Sequence, residues 1–494
     1  MKRRLTAVLA AAITLFSTGC GEVVDINSGE QNIATLSELE KWDMERSGSA
    51  SSGAAAVPDA AVPAESGGVT ADVPVTAAPK PAAGSGPELT GQGGSMYDCN
   101  GKLLMTTDKM TGERRIAADY AEPFGNILSS KSNGLCETFG SKLSKSGTSV
   151  QLTFDADIQS AIYRYMAEAG MKGAVVVMRT DGSLAAEVSY PSYDPAEYGE
   201  ADDSTAWGSL SNHAMQSAPP GSVFKIMSEV IAEKHSIDTL YDDGTWYSDS
   251  GVIVNWDHDT NPYYPIEERS RYSAFVNSSN IFFAKAFDAV GAEAVTADLG
   301  EIFHFGRDIY CDFGTIITGM QIDNADDLRR SAFGQANVTT TPMYLAALGR
   351  EAVFGEMVTP FVLMNEIKGE GAGQVKSRGT TPELIASIPM AYRQGLLEGM
   401  AGVGGDIGVY PPADYSFFAK TGTAETGWGE YMYITGCLRN TADDGGIRYK
   451  DYGNYSGSYI IVTQISNGGE LGLTFASESA YLYQGIVNIV TGSR

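Results

Sequence analysis

The sequence predicts an α+β fold in which strands from two distant stretches of chain build one antiparallel sheet, with helices inserted between them. Three observations carry this expectation. Apolar runs at 174–178 and 184–188 flank Asp181-Gly182, a hairpin signal. Strand-like runs recur at 417–423, 434–438 and 459–465. Between the two groups lie apolar stretches that follow Pro-Gly or Ser-Asn punctuation, as buried helices do. The expected result is a sheet with an all-helical lobe beside it and a ligand site between the two.

The chain opens with Met1-Lys-Arg-Arg4, an apolar run over 5–16 and Ser17-Thr-Gly-Cys20, the layout of an export signal. That run is shorter than the about 20 residues that span a bilayer. Gly19-Cys20 is similar to a lipoprotein processing site, so Cys20 is a candidate for lipidation. The expected location is the extracytoplasmic face of the cell membrane, lipid-anchored or N-terminally anchored, with a plain signal peptide as the remaining reading. With 1–20 as the signal, 21–94 reads as a tether. From 47 to 94 there is no aromatic residue, no Ile and one Leu, too little apolar surface to fold. A flexible coil of that length spans about 35–40 Å r.m.s.. Residues 95–150 have short strand-like pieces and many turn residues and are assigned to a small N-terminal pedestal domain, and 151–494 form the main domain. Within it Ile158, Ala161, Ile162, Tyr165, Met166 and Ala169 keep helical spacing until Gly170 stops them. A last helix is expected over 480–490.

The 494 residues carry a net charge of −27, and 43% of them are hydrophobic. The acidity argues against nucleic acid as a partner, and the apolar fraction suffices for a large core. The cysteines and histidines lack metal-ligand spacing. No metal and no cofactor are expected. Cys99, Cys136, Cys311 and Cys437 read as scattered buried thiols, and Asp257-His-Asp259 as a solvated turn.

Three motifs carry the chemistry, in this order: Ser222-Val-Phe-Lys225, Ser278-Ser-Asn280 and Lys420-Thr-Gly422. A second Lys-Ser-Gly, at 145–147, lies upstream of the serine and reads as a surface turn, and Tyr452-Gly-Asn454 falls after Lys420, in the wrong order. Pro219-Pro-Gly221 breaks the chain before Ser222, and Val223, Phe224, Ile226, Met227, Val230 and Ile231 follow. Ser222 is therefore expected at a helix N-terminus, where unpaired N–H groups favour a forming oxyanion. Residues three apart share a helix face, so Lys225 reaches Ser222. A hydroxyl needs a base to act as a nucleophile, and Lys225 is that candidate, its proton affinity lowered by burial and by a second cation, Lys420. Gly422 lacks a Cβ and is expected to let a ligand approach the strand.

At these residues the chain resembles a class B penicillin-binding protein, a peptidoglycan D,D-transpeptidase; class A β-lactamases share the three motifs of such enzymes. The resemblance extends to Gly147-Thr-Ser-Val-Gln-Leu-Thr-Phe-Asp-Ala-Asp-Ile-Gln159, to Gly173-Ala-Val-Val-Val-Met178 through Tyr190-Pro-Ser-Tyr-Asp-Pro195, to Gly334-Gln-Ala-Asn-Val-Thr-Thr-Thr-Pro-Met343 and to Met96-Tyr-Asp-Cys-Asn-Gly101, covering roughly residues 94–494. It implies a penicillin-binding-protein/β-lactamase-like transpeptidase domain with Ser222, Lys225, Ser278, Asn280 and Lys420 as catalytic residues and Thr421, Gly422 and Thr423 as substrate-binding residues. The implied substrates are D-Ala-D-Ala stem peptides and an amine acceptor, the implied inhibitors β-lactams, and the implied partner a membrane glycan polymerase. Cys99 stands where the family usually has Arg, Ala336 and Ala419 replace glycines, and 431–437 lacks the usual Trp-Phe. A D,D-carboxypeptidase or β-lactamase using the same serine, and a β-lactam sensor or wall-synthesis scaffold, remain alternatives.

Overall fold

The apolar run over Gly173–Arg179, every residue of which is buried, fixes the interior of a five-stranded antiparallel sheet. Its strand order is Tyr415–Thr426, Gly429–Asn440, Tyr459–Ile465, Gly173–Arg179 and Leu184–Tyr190. Both faces are covered. Gly436 faces the Tyr483 side chain of the C-terminal helix Ala480–Thr491, whereas the neighbouring Thr435 faces Gly349 of helix Pro342–Phe354. Helix Ala156–Ala169 packs beside the C-terminal helix through Tyr165 and Gly485. It starts where Asp155 accepts the N–H groups of Asp157 and Ile158 and stops at Gly170, φ 65°. The α+β expectation is met, strand by strand.

This computed structural model describes residues 93–493 except 109–110, 130–133, 145–147, 197–209, 249–250, 369–374, 427–428 and 442–456. The signal, Cys20, nearly all of the tether and the two decoy triplets lie outside the described residues. All described residues fall in one compact unit, and among them no helix is long and apolar enough to cross a membrane. Gly93 and Gly94 already belong to it, donating to the carbonyls of Thr107 and Leu143.

A second sheet crosses the boundary expected at 150. Met96–Tyr97, Leu103–Thr107, Arg114–Ile116 and Thr148–Leu152 are joined by Leu363–Lys368 and Val375–Arg378. Strand Thr148–Leu152 is parallel to Met96–Tyr97 on one side and antiparallel to Leu363–Lys368 on the other. Lys142 also pairs with the Glu366 carboxylate. The N-terminal segment is thus completed by strands from far along the chain, because its own pieces are too short to close a sheet.

The helical lobe contains Lys225–Lys234, Arg271–Val276, Asn280–Val290, Ala292–Ile302, Ala325–Ser331 and Gln394–Asp406. Two nested antiparallel strand pairs separate the first two of these helices: Thr245–Ser248 pairs with Gly251–Val254, and outside them Thr239–Asp242 pairs with Ile266–Ser270. No disulfide joins the four described cysteines; Cys136 and Cys437 are buried, whereas Cys99 and Cys311 are only partly so. Burial raises the Cys99 thiol to about 11.

Candidate active site

Each motif is placed by a different device. Gly221 takes φ +56°, and a Cβ there would lie 2.4 Å from the Thr423 carbonyl oxygen, so only glycine lets the serine turn meet the strand. Gly334 backs the same turn, its carbonyl accepting from the Gly221 N–H at 3.2 Å. Ser222 lies in the 3-10 turn Gly221–Phe224 that leads into helix Lys225–Lys234. Ser278 takes φ 55°, a conformation that costs an L-residue about 1–2 kcal/mol. The next residue, Ser279, caps helix Asn280–Val290 by accepting from the Phe282 N–H. Lys420, Thr421, Gly422 and Thr423 lie on edge strand Tyr415–Thr426 of the central sheet.

The structure brings the five candidate catalytic residues together. Lys225 Nζ is 2.9 Å from Ser222 Oγ, 2.6 Å from the Ser278 carbonyl, 3.0 Å from Ser278 Oγ and 2.8 Å from Asn280 Oδ1. Lys420 Nζ donates to Ser278 Oγ at 3.1 Å and to the Thr421 carbonyl at 3.1 Å. Lys225 is fully buried and Lys420 is 1% exposed; Ser222 and Ser278 are partly open. The Ser222 hydroxyl is reachable while both amines are buried.

Burial lowers the proton affinity of Lys225 well below its usual range, and the Lys420 charge lowers it further, against the opposing pull of Asp242 and Asp257. Burial alone brings Lys420 down to about 7. The hydrogen-bond geometry suits a neutral Lys225. Asn280 Nδ2 donates to the Val254 carbonyl at 2.9 Å, which turns Oδ1 toward Lys225. Two of the four oxygens around Nζ, the Ser278 carbonyl and Asn280 Oδ1, are acceptors only. A neutral amine gives them its two hydrogens and keeps a lone pair for a hydroxyl proton.

The glycine of the third motif has a different reason from the one expected. A Cβ on Gly422 would stand 2.7 Å from the Val223 nitrogen and 2.8 Å from the Pro220 carbonyl oxygen. Its small size is needed by the serine turn itself. Thr423 Oγ1 accepts from the Ala476 N–H at 3.0 Å, so its hydroxyl hydrogen is the part left to donate. Ala336, standing where the family has glycine, holds φ 61°, a strain of about 1–2 kcal/mol.

Several residues had no signal in the sequence. Asp242 and Asn255 lie beneath the second motif and bind its backbone and Ser279. Trp256 donates to the Asn277 carbonyl and packs edge-on against Phe475, 5.8 Å between centroids. Because Ala476 binds Thr423, this ring pair ties the flank of the second motif to that of the third. His258 is 2.8 Å from its neighbour Asp259, and Asp257 accepts from Tyr264 and Asn261, so this loop is held by local hydrogen bonds.

Residues 173–433, more than half of the chain, match the family model described as the penicillin binding protein transpeptidase domain. The chain belongs to this family. Stage V sporulation protein D of Bacillus subtilis is 23% identical over 338 residues, 64% of this chain. The chain spans about half the length of that curated relative, 50% of it being covered. The penicillin-binding-protein fold is shared with the D,D-transpeptidase domain of a peptidoglycan glycosyltransferase from Eggerthella lenta, with a TM-score of 0.63 at 20% identity, covering 81% of this chain and 98% of that one. It is shared also with the penicillin G acyl-enzyme of penicillin-binding protein A from Mycobacterium tuberculosis, with a TM-score of 0.61 at 20% identity, covering 81% and 99%. All three motifs fall within the matched residues 173–433.

Proposed function

We propose that this protein is a peptidoglycan D,D-transpeptidase that works through a Ser222 acyl-enzyme and is inhibited by β-lactams. The observation that carries the reading is the 2.9 Å contact between Ser222 Oγ and a buried Lys225 amine whose proton affinity is lowered. Lys225 takes the Ser222 proton as Oγ attacks the carbonyl of the penultimate D-Ala. The resulting oxyanion lies between the backbone N–H groups of Ser222 and Thr423, donors worth a few kcal/mol each; the abutment of Gly221 on Thr423 supports their pairing. Ser278, in reach of both lysines, passes the proton to the leaving nitrogen. The peptide C–N bond breaks, terminal D-Ala departs, and an amine of a neighbouring stem attacks the ester and restores the Ser222 hydroxyl. Thr421, Thr423 and the Lys420 charge receive the donor's terminal carboxylate, with Gly422 keeping the strand close to the serine.

The family and the penicillin G acyl-enzyme of the related fold support penicillin binding. The export-type N-terminus supports a lipid-anchored or N-terminally anchored enzyme outside the cytoplasm, on a tether; a membrane glycan polymerase as partner is what the class B resemblance implies.

The test is Ser222→Ala against a fluorescent penicillin, together with a stem-peptide donor and an amine acceptor read by mass. Loss of covalent label and a cross-linked product from the native protein alone are expected. Persistent labelling of Ser222→Ala would reject the nucleophile. Trimmed donor without cross-link would make the enzyme a carboxypeptidase, and rapid penicillin turnover a β-lactamase.

A further inference from the structure

The second motif stands on a buried polar platform supplied by residues 239–270. Asn255 Oδ1 accepts from the backbone N–H of Asn280 at 2.6 Å and of Ile281 at 3.0 Å. Asn255 Nδ2 donates to both carboxylate oxygens of Asp242, each at 3.0 Å. Asp242 accepts from Ser279 Oγ at 2.6 Å and pairs with Arg269 at 2.8 Å, where both side chains are at most 1% exposed. A buried ion pair of this kind is a costly way to gain stability, and here it underlies the turn that presents Ser278 and Asn280. That turn needs a clamp, because Ser278 is held at φ 55°.

We propose that Asn255 and Asp242, anchored by Arg269, are positioning residues that clamp the Ser278–Asn280 turn so that its carbonyl, hydroxyl and amide oxygens converge on the Lys225 amine. The inference rests on the transpeptidase reading of the site and deepens it. With the helix N–H groups satisfied by Asn255, the Asn280 side chain is released to face Lys225. With Ser279 held by Asp242, the left-handed Ser278 directs both of its oxygens to one nitrogen. The platform also acts through its charge. The charged groups that bear on Lys225 are Lys420 from the edge strand and Asp242 and Asp257 from the platform; the two carboxylates favour the protonated amine and Lys420 opposes it. Replacing Asp242 by a neutral residue therefore lowers the pH at which Lys225 becomes a base.

The test measures the rate of acylation by a fluorescent penicillin against pH, with thermal unfolding of each protein followed in parallel. Asn255→Ala is expected to lower the plateau rate on the order of 10- to 100-fold, the scale of a small misplacement of catalytic groups. Asp242→Asn is expected to move the acid limb to lower pH. Ser279→Ala, which removes one hydrogen bond from the same clamp, is expected to lower the plateau in the same direction and serves if Asn255→Ala fails to fold. Native plateau and native limb in these variants, or rate losses that only track the unfolded fraction, would overturn the proposal. A native protein that penicillin does not label would instead overturn the transpeptidase reading beneath it.

Discussion

Burial lowers the proton affinity of both lysines at the site, yet their tasks need opposite charge states. In the proposed mechanism Lys225 is neutral to take the serine proton, while Lys420 keeps its charge to attract a carboxylate. Acylation should therefore rise with pH as Lys225 deprotonates and fall as Lys420 loses its proton near about 7. Lys420→Gln removes the cation that helps to deprotonate Lys225, so the acid limb of the acylation profile should move to higher pH. Rates of labelling across pH check this; an unmoved limb would remove Lys420 from that electrostatic role. The residues of the three motifs were legible because each carries its chemistry at a fixed local spacing. Asn255 and Asp242 were not. Their partners lie 26 and 37 positions away, at distances set by the excursion between two helices and by no repeat or period.

At the scale of elements, the serine turn and the edge strand touch backbone to backbone, through Gly221 against Thr423 and Gly422 against Pro220 and Val223. Gly422→Ala puts a methyl group against main-chain atoms that cannot swing aside. It should push the strand from the turn and reduce acylation on the order of 100-fold, while Gly405→Ala, where a Cβ meets nothing within 4 Å, should leave the rate alone. Equal rates for the two variants would mean that the contact is slack. The long strands and amphipathic helices could be read from period and punctuation, since a two-residue or 3.6-residue repeat survives over ten positions or so. The reason for Gly422 could not, because sequence shows a missing Cβ without showing what would have met it.

At the scale of the whole molecule, the boundary drawn at residue 150 marks a change in composition and not a structural seam. Strand Thr148–Leu152 has a partner on each side, one from the start of the described chain and one from Leu363–Lys368. Strands of three residues such as Arg114–Ile116 leave little for a sequence to signal, and pairing across more than two hundred positions leaves nothing. A version beginning at Gly91 keeps every described residue, all of which fall in one compact unit. Deleting 93–147 in addition should leave strand Thr148–Leu152 with a bare edge and yield a less stable, association-prone protein. Calorimetry and light scattering compare the two; an equally stable, monomeric short version would show that the first strands contribute little.

The same shared sheet sets an order on the birth of the protein. Gln151 and its hydrogen-bonding partner Asn365 are 214 positions apart, so during synthesis the early strands emerge long before the segment that completes them. Until then a hydrogen-bonding edge is presented to every neighbouring chain, and non-local pairing of this kind is slow to form. Newly made chains would accordingly depend on a holding chaperone, or on low local crowding, for the interval between the two arrivals.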